Sequence, residues 1–132
     1  MNFFLDIDPP TATAQEQKTT FRGGMPRKYD PKNVKDAKML LREALRPFKP
    51  PIPLDGPLAL YVEWRFPTGK SHHDGEWKIT RPDTDNLQKG LKDCMTREGF
   101  WIDDSRVCAE IVKKTWSAMP GIYVEIDKLE DL

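Results

Sequence analysis

Two stretches of this 132-residue chain hold carboxylates where chemistry could be done with them. In "ITRPDTDNLQKGLKDC", Asp83 and Asp85 bracket one threonine just where helical periodicity begins. In "GFWIDDSRV", Asp103 and Asp104 stand between Phe100, Trp101, Ile102 and Val107. A carboxylate among apolar side chains is costly unless something pairs with it. Two or three such groups, offering hard oxygen ligands with open positions left over, suit Mg²⁺ completed by substrate phosphate. A cation held in this way activates a water, stabilises a leaving oxygen and screens an approaching phosphate. Lys89 is the natural companion, because an ammonium beside the acids stabilises charge on the reacting phosphate or helps position the water.

Helix geometry narrows the set. Asp83 and Asp85 sit where the chain enters a helix, so both can serve one site. Lys89 lies one turn on, about 6 Å along the axis, and its flexible stem can return the ammonium to the helix start. Asp93 is about 12 Å beyond Asp85 and cannot share a small cation with it in a straight helix. Asp103 and Asp104 must come back through the fold after Gly99. The same residues also have a plain structural reading. Aspartate is a favoured helix cap and complements the macrodipole. Asp85 and Lys89 form a favourable i,i+4 pair, and "DDSR" reads as a turn. Carboxylate spacing by itself leaves both readings open.

The elements that must position these residues follow from periodicity. "NFFLDID" alternates Phe3, Leu5 and Ile7 against polar neighbours and predicts a first strand. "KTTFRGGMPRKYD", broken at Gly23 and Gly24, predicts a basic hairpin. Asp30–Pro31 reads as an N-cap and first helical position. Val34, Ala37, Leu41, Ala44 and Leu45 recur at helical spacing until Pro47. "LALYVEWRF" is the clearest strand, with Leu58, Leu60, Val62, Trp64 and Phe66 on one face. "PTGKSHHDGEWKIT" reads as a polar loop. A second helix is expected over about Asp85 to Glu98, with Leu87, Leu91 and Met95 as its stripe and Gly99 past its end. Gly90 within it costs about 1 kcal/mol relative to alanine, a cost that close packing would offset. "VCAEIVKKTW" and "GIYVEIDKL" predict two final strands with "SAMPG" as their turn. The expected fold is α+β: one small domain over 1–132, with a mixed β-sheet packed against two main helices.

Composition excludes several classes. No apolar run approaches the roughly 18 residues of a membrane span. Acids near the N-terminus argue against an export signal. Cys94 and Cys108 are expected as reduced thiols in a cytoplasmic protein. A zinc site built from them with His72 and His73 fits no standard spacing. The formal net charge is zero, yet between Pro10 and Pro50 ten bases face four acids. That basic half against an acidic centre is a charge asymmetry.

The run "RPDTDNLQKGLKDCM…GFWIDDSRV" resembles the central motif of the RusA-type Holliday junction resolvases. That motif runs Asp-x-Asp-Asn-x-x-Lys, then a helix, then Asp-Asp ahead of a strand. The close likeness covers about residues 79 to 116, and Asn86, Lys89 and "GFW" fall into place with the acids. The N-terminal half agrees in layout only. The resemblance implies Asp83, Asp85 and Asp104 as magnesium ligands, Lys89 as a catalytic lysine, and Asp103 as a possible addition. It implies a cytoplasmic homodimer, of a kind common in phages and prophages, that nicks four-way DNA junctions in pairs during recombination, repair or phage DNA processing. Mn²⁺ would be a plausible substitute for Mg²⁺, and no membrane is involved. A protein of the same fold that binds junctions without cutting them is the alternative.

Family members are usually more basic than this neutral chain. DNA affinity would therefore rest on a local patch, for which Lys18, Arg22, Arg27, Lys28 and Lys32 are the candidates. The loop "GKSHHDGEWK" is a candidate mobile segment for contacting DNA, in which His72 and His73 read as ordinary surface residues.

Overall fold

The computed structural model describes residues 1–11, 18–22, 25–29 and 32–132. The described chain forms β1 (Asn2–Leu5), β2 (Lys18–Arg22), β3 (Met25–Tyr29), α1 (Lys32–Leu45), β4 (Leu58–Pro67), α2 (Thr84–Glu98), β5 (Val107–Ser117) and β6 (Gly121–Lys128). Single 3₁₀ turns follow α1 at Arg46–Phe48 and precede β5 at Asp104–Arg106. Strands β2 and β3 pair antiparallel as a separate ribbon, the hairpin expected around the two glycines. The expected Asp30–Pro31 cap lies outside the described residues.

The alternation in "LALYVEWRF" makes β4 the centre of the main sheet. Its Leu58, Leu60, Val62, Trp64 and Phe66 are all buried. Strand β5 lies parallel on one side of it, and β6 antiparallel on the other. Strand β1 closes the far edge against β6, giving the order β1-β6-β4-β5. This is the mixed α+β sheet that the sequence predicts.

The expected turn at "SAMPG" joins β5 to β6, but the two strands are not neighbours. "SAMPG" is not a hairpin turn, because β4 lies between β5 and β6. The short link crosses the end of β4, where Pro67 pairs with Ser117. The most apolar strand takes neighbours on both sides. The polar β5, with Glu110, Lys113 and Lys114, takes the edge, where charged side chains are tolerated.

Both helices bury their stripes against the β4 core face. Leu41 and Leu45 of α1 join Leu87, Leu91, Cys94 and Met95 of α2 in one cluster with Phe3, Trp64, Phe100 and Trp101. Burying each large apolar side chain stabilises the fold by roughly 1.5–3 kcal/mol. The helices are tied together by Glu98, which is nearly buried and accepts hydrogen bonds from Arg42 and Arg46. Two of the bases counted in the N-terminal half are therefore structural. Helix α2 ends where Gly99 takes the left-handed conformation (φ 82°) and its amide bonds Thr96. Phe100 and Trp101 then anchor the return: the Phe100 amide bonds the Met95 carbonyl, and the Trp101 indole donates to Thr96 Oγ1 at 2.7 Å.

Gly90 has no close neighbour. A Cβ there meets nothing within 4 Å, so tight packing does not account for it among the described residues. Cys94 is buried and its thiol is pushed up to about 11, chiefly by burial, while Cys108 is exposed; the two are not bonded. No described helix is long and apolar enough to cross a membrane.

Gly121 opens β6 beneath Phe4 and Leu5, and a Cβ there would lie 2.7 Å from the Leu5 carbonyl oxygen. The Phe4 ring can move aside, but the carbonyl is held in the β1–β6 ladder. Gly121→Ala should therefore lower stability by about 1–3 kcal/mol, measured by urea denaturation. Wild-type stability in that variant would show that the β1 edge yields.

Candidate active-site groove

Helix α2 has two working faces. Leu87, Leu91, Cys94, Met95 and Glu98 face the core. Asp85, Gln88, Lys89 and Lys92 recur at intervals of three and four, so they share an arc of about 100° beside it. That second face borders an open groove of about 360 Å³. Its walls are Thr84, Asp85, Gln88, Lys89 and Lys92 from α2, Asp104 from the turn before β5, and Glu110 and Val112 from β5. Of the residues singled out in the sequence, Asp85, Lys89 and Asp104 meet here.

Gln88 joins three elements. It is 3% exposed, and its amide oxygen accepts the Trp64 indole N–H at 2.7 Å. The indole is a donor only, which fixes the orientation of the amide. Its NH₂ end therefore faces β5 and donates to Glu110 Oε2 at 2.8 Å. Lys92 reaches the other Glu110 oxygen at 3.2 Å. Sequence reading missed Gln88, Lys92 and Glu110. The helical spacing from Asp85 could have found the first two. Glu110 needed the register of β5, in which Glu110, Val112, Lys114 and Trp116 stand level with the buried residues of β4.

The remaining acids are placed differently. Asp83 is exposed and takes the N-cap position of α2 with extended backbone, but its side chain makes no capping bond to the helix amides. It is not among the groove walls. Asp103 caps the 3₁₀ turn: its carboxylate accepts the Ser105 amide at 3.1 Å, and Ser105 holds it below the usual carboxylate range. The turn reading of "DDSR" thus describes Asp103, while Asp104 lines the groove. The desolvation conflict resolves at the same place. Phe100 and Trp101 go inward, and Asp103 turns out to solvent.

The segment entering α2 is fastened to β5. Lys114 Nζ donates to the carbonyls of Thr80 at 2.8 Å and Pro82 at 2.7 Å, and the Lys114 carbonyl accepts the Lys78 amide at 3.1 Å. Gly75 and Glu76 exchange bonds with the Trp116 backbone. The region expected as a mobile polar loop is, in its second half, an added strip on the β5 edge. His72 stacks on Trp116 at 3.8 Å, and Glu76 bonds His72 and His73. The histidines and cysteines do not meet in a zinc site.

Among the described residues, no three His, Cys, Asp or Glu side chains converge closely enough to enclose a metal ion. The donor set is nevertheless the kind Mg²⁺ takes: carboxylate oxygens on an open wall, without thiol or imidazole. Mg²⁺ is commonly held by one or two carboxylates, with phosphate and water filling the remainder. Lys89 makes no ion pair among the described residues, so the expected Asp85–Lys89 pair is not formed. Lys32, at the start of α1, is exposed. The side chains of Lys18, Arg22, Arg27 and Lys28 lie outside the described part of the chain.

A family model described as "Endodeoxyribonuclease RusA" matches residues 8–127. The chain is also 34% identical over 73 residues to a "Crossover junction endodeoxyribonuclease rusA" of Lactococcus phage r1t. That match covers 55% of this chain and 56% of the phage protein.

Gln88→Leu keeps the size of the side chain but strands the Trp64 indole and removes one bond to Glu110. It should cost about 1–3 kcal/mol in urea denaturation. A change below about 0.5 kcal/mol would mean that water replaces the amide and that Gln88 does not fix the groove.

Proposed function

The chain belongs to the endodeoxyribonuclease RusA family, and on that premise we propose that it resolves four-way DNA junctions by paired, Mg²⁺-dependent nicks. The observation that carries this reading is the convergence of Asp85, Lys89 and Asp104 on one open groove. Carboxylates on the wall of a DNA-binding groove repel phosphate and weaken simple binding. They are useful when a cation lies between them and the backbone. The junction binder without cleavage is disfavoured on this ground.

Asp85 and Asp104, with Asp83 at the head of α2, would hold the cation, and Mn²⁺ would serve in its place. When bound, the metal supplies a Lewis acid and a water of lowered pKa. Lys89 turns its ammonium to the scissile phosphate and offsets the charge that builds up as water attacks and the 3′ oxygen leaves. Lys92 pairs with Glu110 on the same groove wall and so offsets that carboxylate's charge beside the strand. Gln88 and Trp64 keep this wall from shifting against the sheet. Lys32 and the basic residues of β2 and β3 would add phosphate contacts away from the reacting bond, setting affinity more than rate. The site of action would be cytoplasmic DNA undergoing recombination or phage processing.

Asp85→Asn preserves shape and removes the charge that a metal needs. The variant should bind a synthetic four-way junction with near wild-type affinity and cleave it at least about 100-fold more slowly, because even indirect partners of metal ligands cost 10–100-fold. Comparable nicking at equal Mg²⁺ would remove Asp85 from the mechanism.

A four-way junction has two-fold symmetry, and the described chain forms one groove that combines Asp85, Lys89 and Asp104. Paired cuts then require two chains about a two-fold axis. Light scattering at micromolar protein should give a mass near twice 15.3 kDa. A monomer that stays monomeric on junction DNA would contradict paired cutting and leave a single-strand nickase.

A further inference from the structure

The strip that leads into α2 reverses the usual arrangement of polar and apolar side chains. Lys78 is 8% exposed, lying 4.1 Å from the Trp116 ring centre and 4.9 Å from that of Phe66. Its ammonium donates to Thr80 Oγ1 at 2.7 Å. Burial and the neighbouring Lys114 hold it below the ordinary lysine range. The residues on either side of it are large and apolar, yet Trp77 is 62% and Ile79 93% exposed. A strand alternates its side chains. Around the bridge at Trp77 the lysine therefore faces the protein, Trp77 and Ile79 face solvent, and the exposed Arg81 follows in the bend beyond them.

This arrangement is held in place and is not a frayed loop. Trp77 bridges Thr115, the Lys78 amide bonds the Lys114 carbonyl, and the Lys114 ammonium bonds the carbonyls of Thr80 and Pro82. The backbone that carries Trp77 and Ile79 is fixed by these bonds, and fixing it beforehand reduces the ordering cost of contact. The position of the strip indicates what the contact is. It runs directly through Pro82 and Asp83 into Thr84 and Asp85 on the groove wall, and Lys114 is two residues beyond Val112 on the same wall.

We propose that Trp77 and Ile79 form an apolar wedge that contacts unstacked bases at the branch point of the DNA, with Arg81 on the adjoining phosphate. The proposal rests on the junction-cleaving function above and names how the branch is recognised. An indole offers a face to any base that has left its stack, and stacking of this kind is insensitive to sequence. A continuous duplex exposes no such face, so the wedge favours branched over linear DNA. The charged groove binds the backbone of both.

The test compares wild-type protein with Trp77→Ala and Trp77→Phe, using a four-way junction that carries 2-aminopurine at the branch, and a linear duplex, both without metal. Wild-type protein should change the 2-aminopurine emission and prefer the junction. Trp77→Ala should lose the emission change and reduce the junction-over-duplex ratio by about tenfold, in line with one lost stack. It should keep the wild-type Tm, because the side chain is exposed, and Trp77→Phe should recover most of the preference. An unchanged ratio and emission in Trp77→Ala would overturn the wedge. A shift of Trp77→Ala to a lower mass in light scattering would also overturn it, by making the strip a contact with a second copy of this chain. If the wild-type protein itself shows no preference for the junction, the junction-cleaving reading fails and the wedge with it.

Discussion

The buried amide of Gln88 sets where the groove can be. It receives the Trp64 indole from the central strand and gives its own N–H to Glu110 on the edge strand. A shift of α2 along its axis by one residue, about 1.5 Å, would break both bonds and leave buried donors unpaired. The phase of α2 is fixed by the same contact. Leu87 and Leu91 point into the core, and Asp85, Lys89 and Lys92 point to the groove. The polar link determines which helical face becomes functional, while the apolar stripe supplies the adhesion.

The sheet order complements this. With β4 central and β5 at the edge, the turn before β5 delivers Asp104 beside the α2 face that carries Asp85. A hairpin between β5 and β6 would instead have made them neighbours and changed which strand borders α2. The edge position also gives Lys114 access to the segment ahead of α2, whose carbonyls it holds. Positive charge is spent in two ways in this molecule. Arg42 and Arg46 neutralise Glu98 between the helices, and Lys114 secures a loop. Lys92 is paired with Glu110 on the groove wall, and Lys89 remains beside it without an ion pair among the described residues, so a chain of zero net charge can still present a local cation to DNA.

Much of the fold and part of the site were legible in the sequence. Strict alternation revealed β4, and the Leu87, Leu91 and Met95 spacing with Gly99 behind it revealed α2 to within a residue of its observed start. Asp85 and Lys89 share the groove wall as helical spacing suggests, Asp104 is preferred to Asp103 only by the resemblance, and Asp83, chosen on the same grounds as Asp85, is not on that wall. Glu110 could not be chosen, because its place depends on the β4–β5 register, a long-range pairing that no local pattern encodes. The turn expected at "SAMPG" does join β5 to β6, but their separation by β4 was hidden for the same reason: a turn signal shows that the chain reverses, not which strands it brings together. The added strip was hidden because Lys78 is inside and Trp77 outside, opposite to what hydropathy predicts.

The central claim is that the groove cuts branched DNA through a metal held by its carboxylates. It is tested most directly by incubating the wild-type protein with a synthetic mobile four-way junction, with and without Mg²⁺, beside a linear duplex and a Y-fork. Strand-mapped products should show paired, symmetric nicks across the junction with Mg²⁺, none without it, and little cutting of the duplex. Cleavage that is independent of divalent metal, or equal on linear duplex, would contradict the account.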